Sequence, residues 1–140
     1  MGERAIWWIL HCLFIITTAA IYFISVELSE SSFAYSTYIL NTQGAFFLIR
    51  SYIILGSFLL FNRIVKNRFI DSTNRAQDML SSIASGLIIG GSLSNITSIL
   101  DFGGIVDYWQ FMDIVWFNLA DVGIVVGVLM YLGLIIFSLL

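Results

Sequence analysis

Four of the chain's nine acidic residues, Asp101, Asp107, Asp113 and Asp121, fall in one stretch, DFGGIVDYWQFMDIVWFNLAD, residues 101–121. Two carboxylates held close together do not both ionise comfortably, so one keeps its proton near neutral pH. A protonated acid beside an ionised one can activate water and protonate a leaving amine. Asp107 and Asp121 are the candidates for such a pair. Asp107 follows Gly103-Gly104, where glycine lets the chain bend back sharply. Asp121 opens a long apolar run, with Asn118 one turn before it, and Asn95 lies about one turn from the end of the preceding run. Asp101 and Asp113 read as solvated loop residues at headgroup level.

The elements that must position these groups are set by composition. Of 140 residues, 59% are hydrophobic and 11% charged, against the roughly 25% charged of a soluble domain. That much apolar surface cannot be hidden in a compact soluble fold of this length, so the expected solvent is the bilayer. A net charge of −3 leaves no basic stripe for nucleic acid. The lone cysteine, Cys12, cannot form an intrachain disulfide. Four apolar runs, at about 5–26, 45–65, 79–100 and 119–140, are each long enough to cross a hydrocarbon core of about 30 Å as a helix. In lipid the main chain must satisfy itself, which makes these runs helices. The first exceeds a signal-peptide core and lacks a small-residue cleavage pattern after it, so it reads as a retained anchor. The expected fold is an all-α membrane protein, a single domain over 1–140. It has four transmembrane helices and a short extracytoplasmic segment between the third and fourth.

Orientation follows from the basic residues. Arg4 precedes the first run, and Arg63, Lys66, Arg68 and Arg75 lie between the second and third; the other two connections hold acids, Glu27 and Glu30 in one and the aspartates in the other. The positive-inside rule puts both termini in the cytoplasm and residues 101–121 outside. Ser82, Gly86, Gly90, Ser94 and Ser98 form a small-residue ridge on the third run, and Gly123 and Gly127 one on the fourth. Small residues four apart let membrane helices approach closely. If these ridges meet, Asn95, Asp107 and Asp121 converge at one mouth. Trp7, Trp8, Trp109 and Trp116 suit aromatic belts at the two interfaces. Tyr108 and Phe111, with the latter two tryptophans, suit a short amphipathic segment on the outer surface. His11 reads as a helix–helix or interfacial residue.

Residues 90–127 resemble the C-terminal half of bacterial lipoprotein signal peptidase, signal peptidase II. That family shows a Gly-Gly pair, an Asn, an Asp-Arg pair, Gly with Val-Val-Asp-Phe, and Phe-Asn-x-Ala-Asp before the last span. Gly90, Gly91, Asn95, Gly103, Val106, Asp107 and the block Phe117-Asn118-Leu119-Ala120-Asp121 fall on it. Upstream, NTQGAFF at 41–47 resembles the family's Asn-Thr-Gly-Ala-Ala-Phe, with Gln43 and Gly44 departing. The resemblance implies an intramembrane aspartyl endopeptidase that removes signal peptides from diacylglyceryl-modified prolipoproteins at the outer face of the bacterial cytoplasmic membrane. It implies Asp107 and Asp121 as the catalytic dyad, with Asn95, Asn118 and Asn41 orienting it and binding substrate backbone. It implies no metal and no organic cofactor. The partners are the lipid-modified substrate and membrane lipids, and the chain is expected to act as a monomer.

Two departures bear on the site. The Asp-Arg pair is replaced by Ser98-Ile99, and the Asp-Gln-x-Thr-Lys signature after the first span has no counterpart. Arg50, within the second run, either stands in for the lost arginine by approaching Asp101 or the loop, or snorkels outward to headgroups. The rival reading is a non-catalytic four-helix membrane module that keeps the fold and binds a lipidated or helical partner.

Overall fold

The computed structural model describes residues 3–34, 37–42 and 74–140. The second apolar run, at 45–65, lies outside the described residues, as do Arg50, Gln43 and Gly44. Among the described residues three long helices dominate: α1 (Glu3–Ala34), α2 (Arg75–Phe102) and α3 (Leu119–Leu139). All three contain a segment long and apolar enough to cross a membrane. They contain the first, third and fourth expected spans. α1 runs on past the expected end at 26, so Glu27 and Glu30 sit in its last two turns rather than in a loop.

Local sequence sets the ends of α2. Asn74 caps the start, its side chain accepting from the amides of Ala76 and Gln77 at 3.2 and 3.5 Å, and Asp78 lies in the first turn, where a helix favours negative charge. Gly103 ends the helix in the left-handed conformation, φ 76°, its amide returning to the Ile99 carbonyl at 3.0 Å. A side chain is costly there and glycine is not.

α2 is the central helix, packed on α1 along one side and α3 along the other. Its small-residue ridge corrects the sequence reading: Gly86 and Gly90 face α1, not the fourth span. A methyl group at Gly90 would lie 2.5 Å from the Thr18 carbonyl oxygen. The contact with α3 uses the neighbouring stripe, Ala84, Ile88 and Gly91, against Gly127 and Ala120. α1 and α2 run parallel (Thr17 beside Gly86, Ile21 beside Gly90), whereas α3 runs antiparallel to α2 (Ala120 beside Gly91, Gly127 beside Ala84). Hydroxyls add polar ties: Tyr131 of α3 lies 2.6 Å from the Ser85 oxygen, and Tyr22 of α1 lies 3.3 Å from that of Thr97. Interhelical hydrogen bonds of this kind contribute about 0.6–2 kcal/mol in a bilayer.

The expectation of purely helical structure fails at one end of the bundle. β1 (Ile39–Asn41) pairs antiparallel with β2 (Ile105–Asp107), setting Ile39 opposite Asp107 and Asn41 opposite Ile105. β3 (Trp109–Phe111) and β4 (Val115–Phe117) form a hairpin in place of the amphipathic surface segment. Its turn places Met112 and Asp113 at φ 49° and 56°, with the Ile114 amide bonded to the Phe111 carbonyl at 3.0 Å. Three-residue strands escape a hydropathy reading because their apolar content blends into the spans on either side.

Candidate active site

α3 begins at the rim where the strands sit, and its first turn must find partners for free amides. Asn118 is the cap: its side-chain oxygen accepts from the Asp121 amide at 2.9 Å, and the Asp121 carboxylate accepts from the Asn118 amide at 3.4 Å. This reciprocal pair is a capping box with Asp in the place of the usual Glu. The Leu119 amide is taken by the Tyr108 hydroxyl at 2.9 Å.

The other end of the Asn118 amide group reaches away from its helix. Its nitrogen donates to an Asp107 carboxylate oxygen at 2.9 Å and to the Asn95 side-chain oxygen at 3.1 Å, with the Val106 carbonyl more distant at 3.4 Å. Asn95 then donates to the Asp121 carboxylate at 2.8 Å. Four residues from α2, β2 and the start of α3 therefore form one connected polar cluster, and both carboxylates bond to Asn118. The structure brings together Asp107, Asp121, Asn95 and Asn118. Asn41 sits in β1 beside Ile105, at the opposite end of the short ladder from Asp107, and its carbonyl packs where Gly104 has no side chain. Asp101 is exposed at the end of α2, and Asp113 is exposed in the hairpin turn.

Asp107 is 6% exposed. Burial, reinforced by the nearby charge of Asp121 and opposed by the Asn118 hydrogen bond, pushes its pKa from 3.8 up to about 7. A carboxyl group so placed can give or take a proton under ordinary conditions. Burial also raises the Tyr108 phenol above its ordinary 10.0, against the Leu119 hydrogen bond and with the two carboxylates adding. It serves as a neutral hydrogen-bonding post. Among the described residues, no three His, Cys, Asp or Glu side chains gather as a metal ion would require.

Ser98 is the residue the sequence reading undervalued. Its hydroxyl donates to the Gly104 carbonyl and accepts from the Val106 amide, both at 3.0 Å. It thus pins β2 to α2 immediately before Asp107. The site where the Asp-Arg pair is missing holds a staple. A serine one turn before a helix-ending Gly-Gly was the available signal, since such a hydroxyl is well placed to satisfy the returning chain.

The signal peptidase (SPase) II family profile matches residues 6–137. The chain belongs to the signal peptidase II family. Lipoprotein signal peptidase of Halothermothrix orenii is 46% identical over 48 residues, covering 33% of this chain and 32% of that protein. The Desulfitobacterium hafniense enzyme is 36% identical over 102 residues, covering 69% and 64%. That of Syntrophomonas wolfei is 33% identical over 107 residues, covering 73% and 68%. The chain thus spans less than two thirds of the length of the first two of these relatives. A bacterial membrane enzyme solved in meso at 2.3 Å superposes with a TM-score of 0.62 at 19% identity, covering 84% of this chain and 83% of that one. A second, at 1.9 Å, gives 0.60 at 19% identity over 91% and 92%. At that identity the likeness is one of fold.

Proposed function

We propose that this member of the signal peptidase II family is an intramembrane aspartyl endopeptidase, with Asp107 and Asp121 as its catalytic pair. Its substrates on this reading are diacylglyceryl-modified prolipoproteins, cleaved before the lipid-bearing cysteine. The observation that carries the reading is the buried Asp107 carboxylate, which accepts from the same Asn118 side chain that accepts the Asp121 amide. Two acids so coupled share one proton, and which carries it is a property of the pair. One carboxylate takes a proton from the attacking water while the other protonates the peptide carbonyl. The resulting diol collapses as the leaving amine receives a proton. Asn95 and Asn118 hold the acids, and Asn41 is the proposed contact to substrate backbone. The chain acts as a monomer in the bacterial cytoplasmic membrane, with both termini cytoplasmic and the site at the outer face. On this reading α1 and α2 run in the same direction, as two spans separated by one further crossing would. That supports a fourth crossing at 45–65 and one four-helix domain over 1–140.

The capping box supports one competing reading, a non-catalytic module that binds a lipidated or helical partner, because capping alone accounts for Asn118 and Asp121. Asp121→Asn separates the two. Asparagine can still accept the Asn118 amide but cannot exchange a proton. Cleavage of a lipidated precursor in membranes should be abolished in Asp121→Asn and in Asp107→Asn, with the proteins still folded. Variants that cleave as well as the parent, or a parent that processes no lipidated precursor, end the protease reading.

A further inference from the structure

The β3–β4 hairpin is not used by the chemistry above, and its tip is unusual. Phe111, Met112 and Ile114 are 58%, 73% and 79% exposed, and Trp109 and Val115 of the same face are exposed beside them. Asp113 is the one charged residue among positions 108–117. A turn with two left-handed residues ordinarily selects Asn-Gly or Asp-Gly. Here Met112 occupies the first such position at φ 49°, which a side chain tolerates poorly. The choice of methionine is therefore unfavourable for turn geometry, and what it supplies is an apolar side chain at the outermost point.

The hairpin is also continuous with a lipid-facing surface. β4 leads through Asn118 directly into α3, whose Val125, Val126 and Leu129 are exposed along a segment apolar enough to span. Trp109 and Phe117 pack edge to face across the strands, with ring centroids 5.8 Å apart, and tryptophan is a residue type enriched at headgroup depth. We infer that the hairpin tip, Phe111 to Val115, inserts among the acyl chains of the leaflet bordering the site, anchoring β2 and the start of α3 at a fixed height against the membrane surface. The occupant of this face is bilayer lipid, and the inference stands whether or not the chain is a protease.

The test uses the full chain in lipid nanodiscs, in a Cys12→Ser background, with an environment-sensitive fluorophore on Ile114→Cys or, as a second site, Val115→Cys. The same label on Asp101→Cys, at the same rim but polar and exposed, is the control. Labels at 114 and 115 should be quenched by lipids carrying a shallow nitroxide at least about three-fold more than the label at 101, and by aqueous iodide correspondingly less. Met112→Asn, which suits the left-handed turn and removes the apolar tip, should roughly halve the lipid quenching while leaving the fold intact. Iodide access at 114 and 115 equal to that at 101 overturns the inference. So does protection that appears only with a lipidated precursor peptide, which would make the tip a substrate clamp. Protection that vanishes at one copy per disc would make it a contact between copies, and overturns it equally.

Discussion

Asn118 holds two jobs in one side chain, and they can be separated. As the cap of α3 its oxygen accepts the Asp121 amide at 2.9 Å; as a bridge its nitrogen binds Asp107 at 2.9 Å and Asn95 at 3.1 Å. Asn118→Ala removes both functions. Asn118→Ser keeps a good cap but has no amide to reach Asp107. Loss of the cap costs about 1 kcal/mol of stability, so the alanine variant should be less stable than the serine variant by about that amount and melt at a lower temperature. Loss of the bridge removes a hydrogen bond to a carboxylate, worth about 1.5–3 kcal/mol. If that bond orients Asp107 for the reaction, cleavage falls roughly 10- to 100-fold in both variants.

The pH profile supplies a second, independent readout. Asn118 lowers the Asp107 pKa against burial and the charge of Asp121, leaving it near 7. Activity that needs the shared proton is lost as pH rises through that value. Without the Asn118 amide the alkaline limb must move to higher pH, so the serine variant should be slower at its optimum yet retain a larger fraction of that rate in alkaline buffer. The assay is initial-rate cleavage of a lipidated precursor across pH, with thermal melts of the same preparations. A serine variant equal to the parent in rate and limb would reduce Asn118 to a cap. A limb that moved to lower pH would refute the account of what sets the Asp107 proton.

Three further outcomes follow from the same geometry. Ser98→Ala should orphan the Val106 amide and Gly104 carbonyl, costing about 1–3 kcal/mol in denaturant titrations, with about ten-fold slower cleavage and recovery of most of both in Ser98→Thr. Gly91→Ala and Gly90→Ala each place a methyl group 2.5 Å from a carbonyl oxygen, of Ala120 and Thr18 respectively, and each should destabilise by about 1–3 kcal/mol. Only the former pushes α3 off Asn95, so cleavage should fall several-fold further in Gly91→Ala than in Gly90→Ala. Asp107→Asn should flatten the pH dependence of stability. With a folded-state pKa of about 7 against an ordinary 3.8, Asp107 contributes fully below 3.8 and loses its contribution as pH rises through 7. The loss amounts to at most about 4 kcal/mol, visible as a parent melting temperature that falls as pH rises from 3.8 through about 7 and then levels off, while the Asn variant holds.

Much of this is legible in the sequence. The first, third and fourth spans are legible in long, largely apolar runs, and the return at Gly103-Gly104 in the conformational freedom of glycine. The convergence of Asn95, Asn118, Asp107 and Asp121 followed from placing the ends of two spans together. The stripe that achieves it is not the one the spacing suggests, because spacing by four marks a close helix contact without naming the partner. Gly90 serves α1, and Gly91, one residue on, serves α3. The strands were hidden by their length, and the role of Ser98 by its chemistry, since a hydroxyl matters only once the chain has folded back over it.

The position of Asp107 discriminates between capping and chemistry as the reason for this cluster. A helix starting at a membrane rim needs its first amides satisfied, and Asn118 with Asp121 do this unaided. Capping alone gives no role to a second carboxyl group on a separate strand, buried where Asp121 raises the cost of its charge. An asparagine at 107 would fill the same volume without that cost, and the stability that the parent loses as pH rises from 3.8 through about 7 measures the penalty. A group that weakens the fold at the pH where it would ionise, yet is held by an amide already committed to a cap, makes physical sense as half of a proton-sharing pair. Stability and cleavage should therefore respond in opposite directions when Asp107 becomes asparagine in mildly alkaline buffer, and a variant that lost both together would show that the acid was structural.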